Sequence, residues 1–188
     1  MIGFFDYLQS VYPISKTDKE VLEEICTEQH FDKNELVQPI GHSCRTIYFV
    51  KKGALRIFYY KGEIEVTESF ELENTIVARV ESLFTERPSR KAIQALEQSD
   101  LIAIGVPKLF KLYDRFPELE RLFRKIFEQL HVNTINRIES LQFYDADERY
   151  SNLLKERPDV LQRVPLKYIA SFLGITQVSL SRIRAKKH

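Results

Sequence analysis

The stretch Val164-Pro165-Leu166-Lys167-Tyr168-Ile169-Ala170-Ser171-Phe172-Leu173-Gly174-Ile175-Thr176-Gln177-Val178-Ser179-Leu180-Ser181-Arg182-Ile183-Arg184 decides how the rest of the chain is read. It has the pattern of two short helices crossing at a steep angle around a tight turn. Ala170 falls where the helices approach, and a larger side chain there would push them apart. Gly174 falls in the turn, which needs a positive φ. Ile169, Leu173, Ile175, Leu180 and Ile183 recur at the spacings that face a small core. Thr176 is a natural N-cap for the second helix. The bland alternative is an ordinary helical hairpin with a solvated basic face.

The outer face of the second helix carries Gln177, Ser179, Ser181, Arg182 and Lys186. Arg suits guanine, Gln suits adenine, and Ser suits phosphate or base edges, so these residue types fit a DNA groove. Charge distribution points the same way. The chain has a net charge of +1, yet the segment from Arg149 onward carries about +7 and the remainder about −6. A basic end on an acidic body is an electrostatic footprint for nucleic acid.

Working outward, Tyr144-Asp145-Ala146-Asp147 is a polar break, and Asp145 or Asp147 can cap a helix running to about Glu156. Upstream, Pro117 starts a helix of about 24 residues, about 36 Å long. Leu119, Leu122, Phe123, Ile126, Phe127, Leu130, Ile135, Ile138 and Leu141 line it. That length exceeds what a small roll covers, so part of the stripe is expected to meet a second copy over Pro117 to Leu141. The alternative is that it packs only on its own roll. Pro107 opens a shorter helix reaching Arg115.

Before Pro107 the period is two. Ile47 to Val50, Leu55 to Tyr60 and Glu63 to Thr67 read as strands, with Gly53 and Gly62 at tight junctions. Ala92 to Leu96 and Leu101 to Val106 add two more, and short strands at this spacing suggest an antiparallel barrel or jelly roll. Glu63, Glu65, Glu68, Glu71 and Glu73 read as a solvated face. The first thirty residues read as helical, with a capping box from Thr17 to Glu20.

The predicted class is α+β: an antiparallel β-roll with flanking helices over 1–116, a long dimerisation helix over 117–143, and a helix-turn-helix unit over 144–188. No apolar run approaches the roughly 18 residues needed to span a membrane, and the start has no basic n-region, so a cytoplasmic protein is expected. Cys26 and Cys44 make neither a disulfide framework nor a zinc or iron–sulfur site. His30, His42, His131 and His188 lack metal spacing, so no metal is expected. No Gly-rich phosphate loop or nucleophile elbow occurs, and no enzymatic activity is expected.

The order of parts resembles the Crp/Fnr superfamily. The residues that carry the resemblance are Phe31-x-Lys33-x-Glu35-Leu36, Gly41, and Ile47-Tyr48-Phe49-Val50-x-x-Gly53-x-Leu55-Arg56 in the roll. In the second unit they are Lys167-Tyr168-Ile169-Ala170-x-x-Leu173-Gly174-Ile175-Thr176-x-x-Ser179-Leu180-Ser181-Arg182-Ile183-Arg184, similar to the version common in Bacteroidetes-type members. The resemblance implies a homodimeric transcription regulator that binds double-stranded DNA and contacts RNA polymerase, with a roll related to cyclic-nucleotide-binding domains. It implies DNA contacts from Thr176, Gln177, Val178, Ser179, Ser181, Arg182, Arg184, Lys186 and Lys187, with Arg182 reading a guanine. Gln177 and Val178 stand where many members have Arg and Glu. The sequence ends soon after Arg184, so a C-terminal wing is not expected. The alternative is a ligand-binding or interaction module whose helix-turn-helix no longer reads DNA.

Nucleotide binders of the superfamily hold the ribose with a Gly-Glu pair and the cyclic phosphate with Arg-Ser/Thr. The corresponding stretch, Ile76 to Ala92, has no glycine, and its Ser89-Arg90 is in reversed order. Arg79, Glu81, Ser82, Ser89 and Arg90 form a polar cassette, read either as a pocket for another small ligand or as a solvated turn in a sensor without one. No cofactor is expected, cyclic AMP included.

Overall fold

The computed structural model describes residues 2–187, with Ile2 and Lys187 described by their backbone only; His188 and the side chain of Lys187 lie outside the described residues. Helices α1 (Ile2–Val11) and α2 (Lys16–Glu23) precede the strands β1 (Cys26–Phe31), β2 (Leu36–Gln38), β3 (Thr46–Lys52), β4 (Leu55–Lys61), β5 (Ile64–Glu71) and β6 (Ile76–Val77). Helix α3 (Val80–Thr85) leads to β7 (Ala92–Ala95) and β8 (Ser99–Gly105). Then come α4 (Val106–Tyr113), α5 (Pro117–Phe143), α6 (Ala146–Glu156), α7 (Pro158–Arg163), α8 (Leu166–Leu173) and α9 (Gln177–Lys187). No helix among the described residues is long and apolar enough to cross a membrane.

The strands form two four-stranded antiparallel sheets, ordered β1-β8-β3-β6 and β2-β7-β4-β5. Alternating residues of both, among them Val50, Leu55, Ile57, Val77, Ile93 and Leu101, fill the space between them. This is the expected roll. Gly53 turns the chain from β3 into β4 at φ +103°, and a Cβ there would lie 2.2 Å from Ser99 Oγ and 2.7 Å from its Cα. Conformation and space therefore both require glycine.

Each sheet is covered on its outer face by different helices. Over the first lie α1, α4 and the start of α5, with Phe4, Leu8, Leu109, Leu119, Leu122, Phe123 and Ile126 buried against Ile47, Phe49, Ile102 and Ile104. Over the second lies the C-terminal helical unit: Phe70, Leu72, Ala54 and Leu96 of the roll share one apolar cluster with Tyr150, Tyr168, Ile169 and Leu173. Helix α5 thus changes environment along its length, since Val132, Ile135, Ile138 and Leu141 are exposed. The apolar stripe that reads as continuous divides into a first part seated on the roll and a second part whose apolar side chains are left largely open to solvent.

Several local expectations are corrected. Residues 26–30 are not helical; with Phe31 they form β1, a polar edge strand paired with β8 from Cys26↔Ile104 to Phe31↔Ser99. Its exposed face hides the alternation that would mark a strand. The capping box lies two residues earlier than expected. Ser15 Oγ accepts from Asp18 N at 3.1 Å, while the Asp18 carboxylate accepts from Ser15 N at 2.9 Å. The glutamates of β5 and its exit are not a solvated row either. Only Glu63 is exposed; Glu65, Glu68, Glu71 and Glu73 are half-buried, and Glu65, Glu68 and Glu73 face partners described below. Ile64, at the start of β5, is exposed. Helix α7, which begins on Pro158, was not expected at all.

Candidate nucleic-acid interface

The last two helices have the geometry that the sequence predicts. Helix α8 ends on Gly174 at φ +70°, and the turn is closed by Ile175 N donating to Ala170 O at 3.0 Å. Thr176 Oγ1 then accepts from Ser179 N at 3.1 Å and caps α9. Ile169, Ala170, Leu173, Leu180 and Ile183 are buried, and Ile175 is half-buried. The opposite face of α9 is open. Thr176, Gln177, Val178, Ser181, Arg182 and Lys186 are exposed, and Ser179 and Arg184 are half-buried. Val178, Arg182 and Lys186 succeed one another at i, i+4, so they form a single stripe along the helix.

Two arginines that sequence reading missed fix this unit. The last carbonyls of α8 lack intrahelical partners. Arg149 Nε donates to Leu173 O at 3.0 Å, and Arg137 of α5 donates to Phe172 O. The Arg137 guanidinium also stacks on the Phe172 ring, 3.9 Å from its centroid. Burial, followed by the nearby Arg149 charge, holds Arg137 down to about 10. Cations at a helix C-terminus favour its dipole. Arginines on α5 and α6 read in sequence as surface charge, and only the packing of α8 shows their targets.

The unit is docked on the β5 edge of the second sheet. Ser171 Oγ of α8 accepts from Thr67 N at 2.8 Å and donates to Glu65 O at 3.0 Å. Arg56 of β4 is 1% exposed. Its guanidinium lies 3.6 Å from the Tyr168 ring centroid and 4.2 Å from that of Phe58. It donates to Gln94 Oε1 at 2.8 and 2.6 Å and to Glu65 Oε1 at 2.6 Å. Phe172 packs on Phe70 with centroids 5.2 Å apart. Arg163 pairs with Glu73 at 2.7 and 2.8 Å and also with Glu97. The Arg163 hydrogen bond lowers Glu73 to about 2.

The roll cassette looks different. Ser82 Oγ accepts from Cys44 N at 2.9 Å and donates to Arg87 O at 2.5 Å. Ser89 Oγ donates to Lys91 O at 2.9 Å. Arg79 is buried, with Nη1 3.6 Å from Glu68 Oε1, and Lys91 also pairs with Glu68. Glu81 and Arg90 are exposed. The structure therefore buries Arg79, Ser82 and Ser89, each against different partners, and leaves Glu81 and Arg90 in solvent. A separate shallow groove of about 100 Å³ between roll and α5 is lined by Tyr7, Glu71, Asn74, Gln129 and Asn133 among others. Burial raises the Glu71 carboxyl to about 7.

No protein-family model matches the chain. Among characterised proteins, the transcriptional regulatory protein btr of Bordetella pertussis is 23% identical over 183 residues, which cover 90% of this chain and 73% of that protein. Among solved structures, FixK2 from Bradyrhizobium japonicum superimposes with a TM-score of 0.73 at 18% identity, over 86% of this chain and 84% of that one. A transcriptional regulator of the crp/fnr family from Eubacterium rectale gives 0.73 at 17% identity, over 95% of this chain and 85% of that one. At these identities the likeness concerns the fold, which is that of Crp/Fnr-type regulators: roll, long helix and helix-turn-helix.

Proposed function

We propose that the chain is a sequence-specific DNA-binding transcription regulator of the Crp/Fnr type, acting as a homodimer. The observation that carries this reading is α9. One face is built into the core through Leu180 and Ile183, while Gln177, Val178, Ser181, Arg182 and Lys186 project from the other without being needed for packing. In this reading α9 enters the major groove, Arg182 pairs a guanine, Gln177 and Ser179 refine the register, and Lys186, Lys187 and Arg184 contact phosphates. Val178 offers an apolar surface where a thymine methyl can sit.

The dimer is read from α5. Val132, Ile135, Ile138 and Leu141 are each more than two-fifths exposed, an arrangement that a second copy of the helix would cover. The seam then begins beyond Ile126, because the earlier apolar positions are seated on the roll. Two recognition helices would fall in successive major grooves about 34 Å apart. RNA polymerase is a further partner of a regulator of this kind.

A gel shift with footprinting against genomic fragments tests the reading. Salt-sensitive, sequence-preferring protection over two half-sites is expected. Uniform binding of all fragments, or none, would leave the interaction-module alternative in its place. Sedimentation of Ile135→Glu should show a monomer where the parent sediments as a dimer.

A further inference from the structure

Strand β5 touches the cassette and the helix-turn-helix unit within four residues. Opposite β4, Ile57 pairs with Ser69 and Phe58 with Thr67, so Glu68 is the extra residue of a bulge. A bulge re-aims its side chain, and here Glu68 meets Arg79 and Lys91 from either end of the cassette. Arg79 is 7% exposed, and its Nε has no hydrogen-bond partner among the described residues. A guanidinium this buried needs an opposing charge. Glu68 supplies the charge, but at 3.6 Å it does not complete the hydrogen bonding. One residue before Glu68, Thr67 N donates to Ser171 of α8, and two residues before that, Glu65 accepts from both Ser171 and Arg56.

We propose that Glu68 is a built-in counter-anion: it occupies the anion place of the roll cassette and, through β5, holds the α8–α9 unit in its docked orientation without an outside effector. The roll carries two cations suited to an oxyanion, a phosphate or carboxylate, and the chain answers them with its own carboxylate. Removing that carboxylate opens the site to an oxyanion and loosens the bulge that anchors the edge bound by Ser171. The consequence for DNA rests on the function proposed above, while the anion site and its link to β5 do not.

The test is Glu68→Gln, probed with inorganic phosphate at matched ionic strength. Phosphate should leave the thermal midpoint of the parent protein unchanged and raise that of the variant, since only the variant has a vacant site to bind it. Amide exchange at Thr67 should be about tenfold faster in the variant, the factor that goes with losing one net hydrogen bond, and should slow again with phosphate. An equal phosphate response in both proteins would overturn the proposal, as would a folded variant whose Thr67 exchange is unchanged. Should Glu68→Gln not fold, Lys91→Gln keeps the Arg79–Glu68 pair and removes one of the two grips on Glu68. Faster Thr67 exchange in that variant supports the proposal, and unchanged exchange overturns it. Absence of DNA binding in the parent would count against the proposed function alone, because the phosphate and exchange measurements use no DNA.

Discussion

The roll cassette and the outer face of α9 look alike as sequence and behave oppositely in the structure. Both are short runs of Ser and Arg with charged neighbours, and both read as candidate binding surfaces. In the cassette, Ser82 closes a loop between Cys44 and Arg87, Ser89 folds onto Lys91, and Arg79 is buried against Glu68. On α9, Gln177, Ser181, Arg182 and Lys186 remain in solvent. Polar groups with partners inside the chain hold the fold, and changing them leaves buried donors or acceptors unmatched. Polar groups projecting from a rigid, capped helix are free for a partner. The two regions should therefore separate cleanly in mutagenesis, one moving stability and the other moving DNA affinity.

The sharpest test on the structural side is Arg56→Ala. It strips a buried cation from Glu65, Gln94 and Tyr168, and should lower unfolding stability by about 3–5 kcal/mol in urea titrations. A loss within experimental error would mean that the helix-turn-helix unit is not held to the roll as described. Ser82→Ala should cost about 1–3 kcal/mol, leaving DNA affinity intact at temperatures where the variant is folded. Its mirror image is Arg182→Ala, which should lose about 1–3 kcal/mol of DNA affinity and relax one base position. Its urea midpoint should stay near that of the parent, and equal loss on all sequences would reassign Arg182 to phosphate.

Acid should weaken the docking of the two parts. Glu73 titrates near 2 in the folded chain, below its ordinary value of 4.5. Its pairing with Arg163 therefore contributes above pH 4.5 and is lost as pH falls toward 2. Because this pair is about one-third exposed, the effect should be about 1 kcal/mol. Arg163→Met should flatten that part of the urea-midpoint profile against pH. The smallest change is expected from Lys186→Ala, a near-uniform drop in affinity with the salt slope reduced by about 1.

The features that sequence reading captured are those with local causes. Gly174, Thr176 and the spacing from Ile169 to Ile183 specify a turn, a cap and a core within twenty residues. Gly53 and Gly62 mark real junctions at positive φ. The order of roll, long helix and helix-turn-helix was equally readable. What escaped depends on contacts distant in sequence. The glutamates of β5 and its exit read as a solvated face, yet Arg56, Arg79, Lys91 and Arg163 come from other elements to meet Glu65, Glu68 and Glu73. Ser171 reads as an unremarkable helix position, because its partners lie more than a hundred residues away. β1 escaped because a polar edge strand has no apolar alternation to display.

The single hydroxyl of Ser171 has a consequence for solubility. β5 ends its sheet, so its outward N–H and C=O groups are a template on which another chain could pair. Ser171 satisfies one of each, at Thr67 and Glu65, and α8 lies along the strand as a cover. The helix-turn-helix unit therefore also guards the roll against self-association. A truncated protein ending at Phe143 would expose that edge, and would be expected to aggregate by strand pairing.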